Sequence, residues 1–279
     1  MLRHSNEAMK QPGESKLSQN AMGNRPGYDL HRPMQEHRAT RAQGLAEQAL
    51  SACKPFLLSE QTSALALIDV GCGYGHTLLE YAKHFNAVVG LEPSFPLFQE
   101  ADRLTQDVHN ITVRNSRAEL MNENSTYDVV VMDNVLEHIE HQATSLENIV
   151  RSLCPGGIAY IVVPNKWWPI EVHYGLPFLS YLPLSLANWY LRLSGRGHDY
   201  RDASYAPSYF SLRRMLRRIS CISFHFVVPE DVSTARLGQK LHYRFGVWLL
   251  RRFPFLWPVS KIFVVVIKKE ASCNKPTPK

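Results

Sequence analysis

The feature that most restricts the fold of this chain is an alternation. Over residues 64–165 short apolar runs take turns with longer amphipathic ones: ALALIDV, HTLLEYAKHF, AVVGLEP, PLFQEADRLTQD, ITVRNS, YDVVVMD, ATSLENIVRSLC and IAYIVVPN. The short runs carry few charges, as strands covered on both faces do. Parallel strands cannot be joined by tight hairpins, so the longer runs must cross back over the sheet as helices. The alternation therefore predicts an α/β chain with a mostly parallel sheet and helices on both faces. The PGG after the last of these helices reads as a helix stop and a turn.

The flanks read differently. Residues 1–36 are rich in Asn, Gln, Gly, Ser, Pro and charge, which predicts a mobile polar tail. From Arg38 to Leu58, Ala42, Leu45, Ala46, Ala49, Leu50 and Cys53 recur at helical spacing. After Asn165 a Pro- and aromatic-rich stretch runs to about Ser208, followed by a basic helix, YFSLRRMLRRI. Two late strands, CISFHFVV and KIFVVVIKK, enclose a further helical segment. The expected division is a tail over 1–36, one domain over 37–270 and a C-terminal tail over 271–279. Within the domain, 166–208 form a cap over an acceptor and 231–260 a helical insertion. A chain of 279 residues, 45% hydrophobic, is long enough for one large core.

Several classes recede on composition. The N-terminal MLRHSNEAMKQPGESK lacks an apolar h-region, so no signal peptide is expected. The longest apolar stretch, LPFLSYLPLSLANWYL, is interrupted by Pro177 and Pro183 and does not read as a spanning helix. The five cysteines are an odd, widely spaced set without a C-x-x-C pair. That argues against a disulfide framework or zinc site and for a reducing, cytoplasmic setting. A net charge of +6 suits a nucleic acid, an anionic membrane surface or an acidic substrate.

The chemistry begins at residues 67–75, LIDVGCGYG. A buried strand ends in Asp69, and Gly71, Gly73 and Gly75 follow at every second position before a helix. Absent side chains let the backbone approach a ligand, and the following helix start presents unpaired N–H groups. The dinucleotide template G-x-G-x-x-G fails here, because His76 occupies its third glycine position. The next strand ends in Glu92, 21 residues after Gly71, where an acid can accept both hydroxyls of a ribose.

With VVGLEPS, this stretch resembles motif I and the next acidic position of the class I S-adenosylmethionine-dependent methyltransferases. YDVVVMDNVLEHI resembles the fourth strand and following segment of the branch that includes ubiquinone-biosynthesis O-methyltransferases. LENIVRSLCPGGIAYIVVPN resembles that branch's helix, turn and fifth strand. The resemblance covers residues 60–165 well and the final strands loosely. It implies a Rossmann-like, seven-stranded sheet and S-adenosyl-L-methionine as cofactor. It also implies that Asp69, Gly71, Gly73 and Gly75 line the methionine and ribose, with Asp133 at the end of the fourth strand. By the same resemblance Glu92 grips the ribose, while Pro93, Ser94 and Ala118 lie beside the adenine. Arg117 replaces the acid this family often places before Ala-Glu.

Methyl transfer from a sulfonium is an in-line displacement, and an oxygen acceptor also needs a base. Two clusters supply candidates on the loops leaving the sheet. DNVLEHIEH offers His138, with Glu137 and His141; PNKWWPIEVHYGLPF offers His173, with Glu171. Relatives that associate a divalent metal with this region are implied to use E-x-x-E-H, whereas this chain has Asn134 for the first acid. No metal is therefore expected. The aromatic cap suits a small-molecule or lipid-linked acceptor. Two basic, apolar helical segments, 209–219 and 237–260, add the expectation of contact with an anionic membrane, at its inner face. Nucleic acid is not expected as partner, and no feature of the pattern sets an oligomeric state. An RNA or protein methyltransferase, or a scaffold that keeps the fold without catalysis, are the competing readings.

Overall fold

The structure is a computed structural model that describes residues 41–57, 62–228 and 241–271. The expected tails, save residue 271, and residues 231–240 of the expected insertion lie outside the described residues. Seven strands form one sheet: β1 (Ala66–Val70), β2 (Ala87–Leu91), β3 (Ile111–Arg114), β4 (Tyr127–Asp133), β5 (Leu153–Pro164), β6 (Ile222–Phe226) and β7 (Ile262–Lys269). Their order is β3-β2-β1-β4-β5-β7-β6. The first five strands pair parallel, and β7 runs antiparallel between β5 and β6. Strand order reverses between β1 and β4, so the loops leaving these two strands diverge and open a crevice at the sheet's carboxyl edge.

Helices α1 (Ala42–Cys53), α2 (His76–Tyr81), α3 (Phe95–Thr105), α4 (Gln142–Ser152), α5 (Leu184–Leu193), α6 (Tyr209–Arg218) and α7 (Leu241–Arg252) complete the description. Alternate strand residues feed two cores, as the period of two requires. On one face Val129 and Val131 of β4 and Ile158, Tyr160 and Val162 of β5 pack with Ala46, Ala49 and Cys53 of α1 and Leu78 and Tyr81 of α2. On the other, Val130, Met132, Ala159, Ile161 and Val163 pack with Leu146, Ile149 and Val150 of α4 and Leu212 and Leu216 of α6. Each fully buried aliphatic side chain contributes about 1.5–3 kcal/mol.

Three local features differ from the sequence expectation. Helix α2 ends at Tyr81, four residues short of the HTLLEYAKHF run. Past Tyr81 the Lys83 and His84 N–H groups turn to the carbonyls three residues back, Glu80 and Tyr81, so the run closes in tight turns, and the Asn110 side-chain amide satisfies the terminal carbonyls of Ala82 and Phe85 at 2.9 Å each. The PGG is a bulge inside β5, not a turn before it. Leu153 pairs with Tyr127 and Ile158 with Val129, so the β5 side carries extra residues opposite β4. Third, the cysteine pattern argued against disulfides and so for a reducing setting, yet Cys221 is disulfide-bonded while Cys53, Cys72 and Cys154 are free, so cysteine usage does not support that setting. Spacing rules detect frameworks and metal knuckles, not a single bridge.

The segment after β5 builds its own small core from Leu176, Leu179, Ala187, Leu191, Tyr200 and Ala203. It is fastened at both ends. The Lys166 N–H donates to the Pro207 carbonyl at 3.1 Å. The Gln142 amide at the start of α4 donates to the carbonyls of both Leu136 and Tyr205, at 2.7 Å each. This holds the far end of the cap against the loop leaving β4.

Candidate active site

The crevice at the switch point opens into a cavity of about 640 Å³. That volume lies within the range that encloses a ligand of nucleoside size or larger. Its walls come from the loops after β1, β2, β3 and β4 and from the cap: Gly71 and Gly73, Glu92 to Ser94, Ser116 to Glu119, Asp133 to Val135, His138, and then His173, Leu184, Arg201, Asp202 and Tyr205.

Gly71 and Gly73 take φ +78° and +59°, in the region that disfavours L side chains. A Cβ at Gly71 would overlap the Val135 side chain, so the turn sits hard against the loop leaving β4. The Gly73 N–H donates to Glu92 Oε2 at 2.9 Å, and the Ser94 N–H to Glu92 Oε1 at 2.9 Å. Glu92 is thereby the pin between the loops after β1 and β2. Burial pushes its carboxyl up to about 7; the two N–H groups pull the other way, and the charge of Asp69 adds to the rise. Each of its oxygens retains a lone pair for a hydroxyl donor. A nucleoside fits this arrangement: bare backbone on one side, and a buried carboxylate that gains from hydroxyl donors.

Of the cofactor residues expected from sequence, Gly71, Gly73, Glu92, Ala118 and Asp133 surround this one cavity, with Arg117 beside Ala118. Asp69 and Gly75 stand behind its wall. Asp69 is buried and accepts from the Thr77 hydroxyl at 2.7 Å, which fixes the first turn of α2. A Cβ at Gly75 would meet Cβ of Ala101 at 3.1 Å, so this glycine lets α2 pack close to α3. Asp133 accepts from the Asn134 side-chain amide at 2.7 Å, and Asn134 itself has φ +54°.

The two candidate clusters for acid–base chemistry meet. The His138 and His173 rings lie 5.3 Å apart, edge to face. Both Nε2 atoms are 3.9 Å from Oε1 of Glu137, which is fully buried. The opposite ring nitrogens are anchored: Nδ1 of His138 lies 2.8 Å from the Asp202 carbonyl, and Nδ1 of His173 lies 2.7 Å from Glu171 Oε1. A carbonyl and a carboxylate only accept, so each Nδ1 carries the proton and each Nε2 faces Glu137 with its lone pair or a second proton. Glu171 is itself held in place, accepting from the N–H groups of His173 and Tyr174 at 2.8 and 2.6 Å. Burial lowers the pKa of His173, but the hydrogen bond and charge of Glu171, with Glu137 and Asp202, outweigh burial and leave it raised. Glu137, His138 and His173 also form the only group among the described residues whose donor atoms are close enough to share a metal ion, all within 4.8 Å. The sequence expected no metal because Asn134 replaces an acid; the fold brings a different third donor, His173, from the cap.

Sequence reasoning missed Asp202, Arg201, Tyr205 and Leu184. Asp202 lies 64 residues from His138, and no spacing rule connects them.

Residues 34–218 match the family of methyltransferase domains. The chain belongs to that family. Together with its sheet order and glycine crevice, this membership makes it a class I S-adenosylmethionine-dependent methyltransferase. Among relatives, this methyltransferase is 27% identical over 123 residues to a ubiquinone biosynthesis O-methyltransferase of Bradyrhizobium sp. (strain ORS 278), covering 42% of this chain and 49% of that protein. It is 30% identical over 105 residues to a protein of the same name from Rickettsia canadensis (strain McKiel), covering 37% and 44%. The chain thus spans about half the length of the curated relatives it matches. In fold it is similar to the plantazolicin methyltransferase BpumL, solved in complex with a triazolic desmethylPZN analog and SAH, with TM-score 0.56 at 15% identity and coverage of 87% and 90%. It is also similar to the YcgJ protein from Bacillus, with TM-score 0.52 at 15% identity and coverage of 83% and 99%.

Proposed function

We propose that this methyltransferase moves the methyl group of S-adenosylmethionine to an oxygen of a small, lipid-like acceptor held beneath the cap. The observation that carries the reading is the meeting of His138 and His173 over Glu137 in the same cavity as the glycine turn. When bound, the cofactor supplies a methyl group already activated on a sulfonium. Gly71, Gly73 and Glu92 would hold its ribose and methionine portion, and Ser94 and Ala118 its base. The chain must then place an acceptor hydroxyl and remove its proton. His173 suits the second task, because its Nδ1–H is committed to Glu171 and its Nε2 is left as the basic atom. Accepting a proton creates an imidazolium between the carboxylates of Glu171 and Glu137, and both stabilise it. His138, fixed by the Asp202 carbonyl, orients the acceptor or shares that proton.

A lipid-like acceptor is supported by Leu184 and Tyr205 on the cavity wall and by the names of the distant relatives. The setting this implies is a membrane surface; no described helix is long and apolar enough to cross one. The test is mass spectrometry of products made with labelled cofactor from extracts split into lipid, small-molecule and RNA fractions. Label in the lipid or small-molecule fraction, abolished by Gly73→Val, is expected. Label confined to RNA would overturn the reading, and absence of both label and cofactor binding would leave the scaffold reading standing.

A second reading has one observation in its favour: the donor set of Glu137, His138 and His173 suits a divalent transition ion in place of the shared proton. The anchored Nδ1 atoms are the outer support such ligands use. Zinc titration calorimetry separates the two, since the proton reading expects no saturable binding that His173→Ala removes.

A further inference from the structure

We propose that the outward face of α7 and the 3-10 turn after it (Pro254–Val259) is a docking surface for an anionic lipid bilayer. This deepens the reading of a lipid-like acceptor and rests on it for its purpose, but its test is independent of methyl transfer.

The sequence expected both basic helical segments to share this role, and the fold separates them. Helix α6 spends its apolar side on the sheet: Leu212 and Leu216 are each 1% exposed, and only arginines and Phe210 face out. Helix α7 is arranged the other way. Leu250 packs against the core beneath it, and Trp257 of the following turn is buried there, 5.5 Å from the Phe226 ring. With those anchors in place, Phe245, Trp248, Phe255 and Val259 remain between 54% and 75% exposed. Phe245 and Trp248 stack on one another at 5.7 Å. Positions 244, 245, 248, 251 and 252 fall on one helical face, so these aromatics emerge among Arg244, Arg251 and Arg252, all exposed.

Charge complementarity chooses the occupant. Residues 232–269 contain no Asp or Glu, so the segment as a whole is basic. Aromatic rings flanked by arginines are what an amphipathic segment presents when it lies in the headgroup layer of an anionic membrane. Aliphatic Val259 and the mutually stacked Phe245–Trp248 pair suit acyl chains better than bases, which need free ring faces. The place is also right. The Asn165 amide, where the cap leaves β5, donates to the carbonyls of Pro258 and Ser260 at 2.9 and 2.7 Å. A bilayer on this surface therefore meets the protein at the same sheet edge into which the cavity opens.

The test is co-sedimentation of the full chain with vesicles of phosphatidylcholine alone and of phosphatidylcholine with about one-third phosphatidylglycerol, the charge per basic residue setting the expected size. Binding to the anionic vesicles, weakened by salt, is expected. Arg244→Gln/Arg252→Gln should lower it about 25-fold, about 5-fold for each arginine. Trp248→Ser/Phe255→Ser should lower it at least about 10-fold from the lost apolar burial. Arg214→Gln/Arg217→Gln on α6 serves as the charge-matched control and should change it less than about 2-fold. Cofactor affinity by calorimetry should be unchanged in all three, which shows that each variant folds. Equal binding to both vesicle types, equal losses from α6 and α7, or a surface that instead binds RNA or a second copy of the chain would overturn the proposal. The methyltransferase reading would survive any of these outcomes while cofactor binding persists.

Discussion

Glu92 makes the sharpest quantitative expectation. In the protein alone its carboxyl sits at about 7, well above the ordinary 4.5, because burial penalises the charge. With Gly73 and Ser94 N–H already donating to one oxygen each, two ribose hydroxyls in addition need all four acceptor positions, which only the ionised carboxylate offers. Cofactor binding should therefore select the ionised form. With a midpoint near 7, about one-tenth of the protein carries that form at pH 6 and about nine-tenths at pH 8. Affinity for S-adenosylmethionine should rise about 10-fold across that interval, with about half a proton released per cofactor bound at pH 7. Calorimetry at pH 6, 7 and 8, in two buffers of different ionisation heat, measures both quantities. Glu92→Gln supplies the reference: titration of the cofactor's own amino group is common to both proteins and cancels in the difference. The same raised value sets a stability trend for the protein alone. A carboxyl raised on folding stabilises fully below about 4.5 and loses that contribution as pH rises through about 7, on the order of 3 kcal/mol. If the wild type and Glu92→Gln show the same pH slope in affinity, Glu92 does not hold the ribose.

Three further outcomes are expected. Gly71→Ala combines a positive φ with overlap on Val135 and should cost about 2–4 kcal/mol in thermal or urea unfolding; adding Val135→Ala should recover part of it. His173→Ala should reduce turnover about 10²- to 10⁴-fold and leave cofactor affinity within about 2-fold, measured by single-turnover assay and calorimetry; loss of cofactor binding would contradict the assignment. His173 is raised on folding, so its stabilisation is full below about 6.5 and fades as pH climbs through its folded value. The stability lost in His173→Ala should accordingly be larger at pH 6 than at pH 9, read from denaturant midpoints.

Much of the architecture follows from spacing along the chain. Strands such as YDVVVMD are nearly uniform in apolarity because both faces are covered, and their alternation with helical runs leaves few sheets to choose from. The placement of Gly71, Gly73 and Glu92 was equally legible, because a turn and the end of the neighbouring strand are local events. The limits of such reading also have local causes. Helix α2 gives way early to tight turns whose last carbonyls Asn110 satisfies from 28 residues on, and PGG folds into β5 because β4 lies alongside to receive a bulge.

By itself, then, the sequence determined a methyltransferase-type sheet and the bare backbone at the mouth of β1, since period and glycine spacing act over a few residues. Only the tertiary structure decided that His138 and His173 face each other across Glu137, with Asp202 and Glu171 fixing their tautomers. It also decided that α6 hides its apolar side while α7 shows aromatics to solvent. The physical reason is the same in both cases. Side-chain meetings and burial depend on which distant segment covers which face, and a cap folded back over the sheet edge leaves no periodic mark on the residues it brings together.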